Sequence, residues 1–200
     1  MADNTTITPG TGASVAADDV GGVLYQRVKI SVGADGAAAD ATAAAPIPVT
    51  TRGAYVTVTL SLDTAIYAAD DVLADTQEVA GALAASDGTG VIESIQLLDE
   101  DDQGIALDLV FLDANVSIGT ENAAPSVTDA NARSILGRVR IATTDYIDMG
   151  GCRVATLLRV GLGIKAATGT DDIYIAAITR GGTPTHTASG IRVRLYIAQS

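Results

Sequence analysis

From Tyr55 onward the large apolar residues recur at every second position, and no segment sustains a helical period for three turns. Such alternation suits pleated strands, which bury one face and wet the other. In residues 55–62, Val56, Val58, Leu60 and Leu62 share a face, with Thr57, Thr59 and Ser61 opposite. Residues 76–83 make a weaker strand. Residues 91–98 and 105–112 flank Asp99-Glu100-Asp101-Asp102-Gln103-Gly104, read as a solvated hairpin turn. In the second of them, Ile105, Leu107, Leu109 and Phe111 form the apolar face, and Asp108 points the other way. A polar stretch over 115–131 follows, with a short helix near 128–134. Further strands are expected at 135–142, 153–164, 172–179 and 191–198. In the last, Ile191, Val193, Leu195 and Ile197 alternate with Arg192, Arg194, Tyr196 and Ala198. About eight antiparallel strands with Gly- and Asp-rich connections predict an all-β, jelly-roll-like antiparallel β-sandwich, the commonest eight-stranded arrangement of two sheets.

The first fifty residues read differently. Residues 2–22 and 33–46 are dominated by Ala, Gly, Thr and Asp, too poor in large apolar groups to fold alone. Between them, Val23-Leu24-Tyr25-Gln26-Arg27-Val28-Lys29-Ile30 alternates as a strand does. Pro46-Ile47-Pro48-Val49 then favours extended backbone. The chain therefore divides into an extended N-terminal arm, 1–53, and a sandwich body, 54–200. The arm is either disordered or ordered against a partner, and its strand suits addition to a neighbouring sheet edge. Val23, Leu24, Tyr25, Arg27, Val28, Lys29 and Ile30 are the predicted partner-binding residues.

Charge narrows the function. The net charge is -12, and aromatics are 4% of the chain, with no Trp and one Phe, Phe111. Neither a bare phosphate backbone nor single-stranded nucleic acid is an expected ligand. The distribution is uneven: residues 53–132 hold fifteen acidic residues and no Lys or Arg, whereas 133–200 hold nine basic and four acidic residues. The two halves interleave in one sandwich and neutralise each other, or an acidic face of one copy meets a basic face of the next, and the two can hold together. Arg138, Arg140, Arg192 and Arg194 follow suit, as solvated outward residues or as inter-subunit partners. No apolar run approaches the ~20 residues of a membrane span. No basic segment followed by an apolar run opens the chain, so it is expected to stay soluble in the cytoplasm where it is made.

Sites for chemistry are few. Cys152 is the only cysteine, which excludes an intramolecular disulfide or a cysteine cluster. His186, the only histidine, lies in Gly182-Thr183-Pro184-Thr185-His186-Thr187 and is expected to be a loop residue without chemistry. Neither a serine triad nor a Cys152 nucleophile finds its surrounding motif. A calcium loop counted from Asp99 would need its closing Glu at Val110, so Asp99–Asp102 is a turn with at most weak calcium affinity. Asp18-Asp19, Asp70-Asp71 and Asp171-Asp172 keep turns wet rather than act as paired glycosidase carboxylates. Gly21-Gly22 and Gly150-Gly151 lack the spacing of a phosphate loop. No catalytic residue, cofactor or bound metal is expected.

Several stretches stand out together. Near the start these are Asp19-Val20-Gly21-Gly22-Val23-Leu24-Tyr25-Gln26-Arg27-Val28-Lys29 and Gly33-Ala34-Asp35-Gly36. Leu107-Asp108-Leu109-Val110-Phe111-Leu112-Asp113-Ala114-Asn115 and Asp145-Tyr146-Ile147 follow. Asp172-Ile173-Tyr174, Thr179-Arg180-Gly181-Gly182-Thr183-Pro184-Thr185 and Ile191-Arg192-Val193 come last. In these stretches the chain resembles tailed-bacteriophage virion structural proteins. His186 stands where an aromatic is expected. The resemblance implies a non-enzymatic particle component located on the capsid surface, a decoration (cement) protein that binds the major capsid protein or neighbouring subunits as a homotrimer. A tail or fibre component that binds a host receptor or glycan is the alternative, and an enzyme acting on cell-surface polymers is the third reading.

Overall fold

The computed structural model describes residues 17–20, 22–26, 31–32, 39–40 and 52–199. Two compact units divide the chain, Met1–Thr50 and Thr51–Ser200.

In the first unit, β1 (Ala17–Val20) and β2 (Val23–Gln26) form an antiparallel hairpin in which Val20 pairs with Val23. A two-residue hairpin connection requires positive φ to match strand twist. Gly22 supplies it, at φ +84°. Two short strands, β3 (Ser31–Val32) and β4 (Ala39–Asp40), also pair antiparallel. Of the predicted partner-binding segment, Val23, Leu24 and Tyr25 lie in β2. Arg27, Val28, Lys29 and Ile30 lie outside the described residues.

The second unit is a two-sheet sandwich. Its strands are β5 (Arg52–Thr59), β6 (Val72–Val79), β7 (Thr89–Asp99), β8 (Leu107–Leu112), β9 (Ile135–Ile141), β10 (Tyr146–Asp148), β11 (Arg153–Lys165), β12 (Ile173–Thr179) and β13 (Ile191–Gln199). One sheet runs β10-β11-β7-β13-β5 and the other β6-β12-β8-β9. Setting aside the short edge strand β10, the pairing is nested. β5 lies beside β13, β6 beside β12, β7 beside β11 and β8 beside β9. A long antiparallel ribbon rolled on itself gives this order, so the body is an eight-stranded jelly roll.

The register carries the sequence alternation into the core. Val56 faces Leu195 and Val58 faces Val193 across β5 and β13, while Leu195 and Val193 also face Ile95 and Leu97 of β7. A slip of one residue would turn that whole set to water. From the opposite sheet, Leu107, Leu109, Phe111, Ile173, Ile175 and Ala177 complete the main cluster.

Three local features depart from the sequence reading. The second body strand covers Val72–Val79 rather than 76–83, and Ala82 and Leu83 are buried beyond its end. Its polar residues are tied to the connection after β8: Asp75 accepts from the Ile118 N–H at 2.8 Å, and the Thr76 hydroxyl donates to the Val116 carbonyl at 2.7 Å. That connection lays Ile118 over Val72, Val110, Leu112, Ala176 and Ile178, making a second apolar cluster. β8 is consequently buried along its whole length, and Asp108 is buried with it. Finally, residues 99–104 do not form a hairpin turn, because β7 and β8 belong to different sheets. The short helix does form, at α1 (Asp129–Ala132), where the Thr128 hydroxyl caps the Asn131 N–H.

Candidate functional site

Two places in the body carry more than packing: the outer face of the five-stranded sheet, and a buried cluster where the connections after β7 and before β13 meet.

On the outer face, Tyr55, Tyr196, Ser94 and Leu158 occupy one row across β5, β13, β7 and β11. The Tyr55 and Tyr196 rings lie 4.9 Å apart at 40°. Thr57, Arg194, Gln96 and Thr156 form the next row. Together these eight residues line a depression of about 590 Å³. Tyr55 is 75% exposed and Leu158 is 74% exposed, a large apolar outlay for a surface that no other element of the body covers. Leu158 is held outward where the β11–β7 pairing breaks and resumes at Leu162. Arg159 at φ +59° and Gly161 at φ +68° make the irregularity.

The uneven charge resolves largely within the chain. Arg138 pairs with Asp108 at 2.9 Å, Arg153 with Asp102 at 2.8 Å and Lys165 with Asp113 at 3.3 Å. Arg180 bridges Asp108 and Asp70, each at 2.8 Å, and Arg192 meets Glu100 at 2.8 Å. Each of these contacts joins the basic C-terminal half to the acidic half before it, so the interleaving of the halves is what the fold achieves. The Arg180 guanidinium is held above its ordinary pKa, by its hydrogen bond to Asp70 and then by the one to Asp108. Of the four arginines read as outward, Arg138 and Arg192 are thus paired internally. Arg140 and Arg194 are exposed and have no ion pair among the described residues.

The acidic run splits by parity. Glu100 and Asp102 turn out to Arg192 and Arg153, whereas Asp99 and Asp101 turn in toward His186. His186 lies in the connection between β12 and β13, as expected, but it is buried: it is 2% exposed, with Nδ1 3.4 Å from Asp101 Oδ2 and 3.9 Å from Asp99 Oδ1. Neither ring nitrogen has a hydrogen-bond partner among the described residues. Asp99 is 1% exposed and accepts from the Asp101 and Gly104 N–H groups at 3.1 and 2.7 Å. Asp101 accepts from the Thr187 N–H at 2.8 Å and the Thr187 hydroxyl at 3.2 Å. Tyr146 sits in the same electrostatic neighbourhood with its buried hydroxyl unpaired. Burial, and then the charge of Asp99, push its pKa up. In the sequence, Ile95, Leu97 and Asp99 alternate on one strand face, which is the signal that Asp99 turns inward; nothing in the sequence joins it to His186.

The body is a jelly roll whose five-stranded sheet carries exposed Tyr55 and Leu158 on its outer face. No family model matches the chain, and no curated protein does. Among solved structures it is similar to a chain of the full particle of Israeli acute paralysis virus heated to 63 degrees, at 12% identity, with a TM-score of 0.35 and coverage of 100% of this chain and 95% of that one. A chain of Desmodium yellow mottle tymovirus gives 11% identity, a TM-score of 0.27 and 96% coverage of both chains. For the native virion of Kashmir bee virus at acidic pH the values are 12%, 0.30, and 99% and 93%. The jelly-roll assignment rests on the strand order given above rather than on these likenesses.

Proposed function

We propose that this chain is a virion structural protein that decorates and stabilises a phage capsid, acting by multivalent contact and not by catalysis. The observation that carries the reading is the outer face of the five-stranded sheet. Tyr55 and Leu158 stand exposed at the two ends of one row. Arg194, which has no ion pair among the described residues, lies in the next. Covering apolar surface of this kind contributes roughly 25 cal/mol per Å² removed from water. Because most cations of the C-terminal half are neutralised internally, the few that remain free can select a partner rather than hold the fold.

In this reading the body assembles as a homotrimer, matching the local three-fold points of a shell. The arm adds a second attachment through Val23, Leu24, Tyr25, Arg27, Val28, Lys29 and Ile30, and contact with the major capsid protein or a neighbouring subunit orders it. Two modest contacts on one chain, repeated over a lattice, give high avidity without a single strong site. The protein is then a capsid-surface component made in the host cytoplasm.

The test mixes purified full-length protein with capsids that lack it and separates bound from free by sedimentation. The wild-type chain should travel with the capsids. The double variant Leu158→Asp, Arg194→Glu should remain folded and stay largely in the supernatant. Equal binding by both would remove the sheet face from the account. Binding to tails with none to shells would instead favour the receptor-binding reading.

A further inference from the structure

We propose that Asp99, Asp101 and His186 bind a divalent transition-metal cation, with zinc as its probe, and that the ion fastens the connection after β7 to the one before β13. The observation pointing to a ligand is His186 itself. A buried imidazole with both nitrogens unpartnered is costly, because each polar group has left water without a replacement. Its Nδ1 nevertheless faces two carboxylates with which no Lys or Arg forms an ion pair among the described residues. At 3.4 Å the approach to Asp101 Oδ2 is long for an N–H···O bond, and none forms.

A shared ion accounts for all of this. Ligand atoms bound at about 2.0–2.2 Å to one cation lie roughly 3–3.5 Å apart. One ligand atom from each residue lies within 4.8 Å of the other two, so a contraction of about an ångström closes the set. The surroundings already hold the ligands in place. Backbone N–H groups of Asp101 and Gly104 orient the Asp99 carboxylate, and Thr187 orients that of Asp101. Such outer hydrogen bonds are the usual support of metal ligands. Asp101 also fills the space above Gly190, where a side chain would collide with its carboxylate. The two connections are thus shaped to each other around the cluster.

The donor set selects the ion. One imidazole nitrogen with two carboxylates suits zinc and its first-row neighbours, whereas calcium and magnesium prefer oxygen alone. Three protein ligands leave a position for water or for a group from another molecule.

Full-length protein, stripped with chelator and dialysed against zinc, should retain about one zinc per chain and melt at a higher temperature than the stripped form. Calcium at the same concentration should leave melting unchanged. Asp101→Asn and His186→Gln should each weaken zinc binding at least about tenfold, as ligand loss must exceed the loss of a supporting hydrogen bond. Glu100→Gln and Asp102→Asn serve as controls, since those carboxylates face arginines, and should bind zinc as the wild type does. If wild-type protein keeps no zinc and shows no shift in melting, the proposal is overturned. It is equally overturned if the control variants lose binding as Asp101→Asn does, because the acidic run would then be attracting ions without a site. Should His186→Gln fail to fold, the wild-type stoichiometry and the two controls still decide.

Discussion

Arg180 donates through Nε to Oδ2 of Asp108 at 2.8 Å, setting a cation against a carboxylate that is 1% exposed on the far side of the four-stranded sheet. Arg138 reaches the same oxygen at 2.9 Å, but its own side chain is largely in solvent. Removing one member of a buried pair leaves the other charge uncompensated. Arg180→Ala should therefore cost about 2–3 kcal/mol, less than the loss of a fully buried pair because Arg138 remains. Arg138→Ala should cost about 1 kcal/mol or less, as exposed partners do. Urea unfolding of the two variants measures the difference, and equal losses would mean that the two arginines share Asp108 evenly.

The connection after β8 should behave as part of the core. Ile118 is 1% exposed beneath it and packs on Val110, Leu112 and Ile178. Ile118→Ala should destabilise the body by about 2–5 kcal/mol, the range for deleting a buried Ile side chain. It should also speed hydrogen exchange at the Ile118 and Ser126 amides, which are bonded to Asp75 and the Ile118 carbonyl. A change below about 0.5 kcal/mol would show the segment to be surface loop.

Leu158→Ser and Tyr55→Ser should be nearly silent in the isolated subunit, within about 0.5 kcal/mol, because both side chains are already in water. Their effect should appear in association. Sedimentation of full-length protein with capsids that lack it should carry the wild type down and leave each of these variants partly in the supernatant.

Alkaline pH should unfold the body through its buried phenols. Tyr67 is buried, and its hydroxyl donates to the Leu73 carbonyl at 3.0 Å. Burial pushes its pKa up to about 12 from an ordinary 10. The unfolded chain therefore loses this proton first. The contribution is fully present below pH 10 and is lost as pH rises toward 12. Tyr67→Phe should remove that part of the pH dependence, and ultraviolet absorbance of phenolate formation against circular dichroism should show the late ionisation coinciding with unfolding.

The strand pattern was legible because the register is strict. Ile191, Val193, Leu195 and Ile197 alternate in sequence and all turn inward in β13. The same logic failed where a face is covered by something other than the opposite sheet. Asp108 alternates as an outward residue and does leave the main core, yet the connections around it bury it against Arg138 and Arg180. β10, three residues long, has too short a repeat to be read at all. The burial of His186 beside Asp99 and Asp101 was not legible for a different reason. Its partners arrive from the end of β7 and the connection that follows, more than eighty positions earlier, and only the adjacency of β7 and β13 in the five-stranded sheet brings them together. The opposed charges of the two halves were visible in composition, but that Arg192 takes Glu100 and Arg153 takes Asp102 follows from the fold alone.

Imaging particles that carry the protein, at a resolution that resolves single domains, decides whether this jelly roll works by adhesion within a shell. Sandwich-shaped density should repeat over the shell lattice, with the row from Tyr55 to Leu158 covered by a neighbour. Density confined to the tail, or a sheet face left bare in every copy, would contradict it.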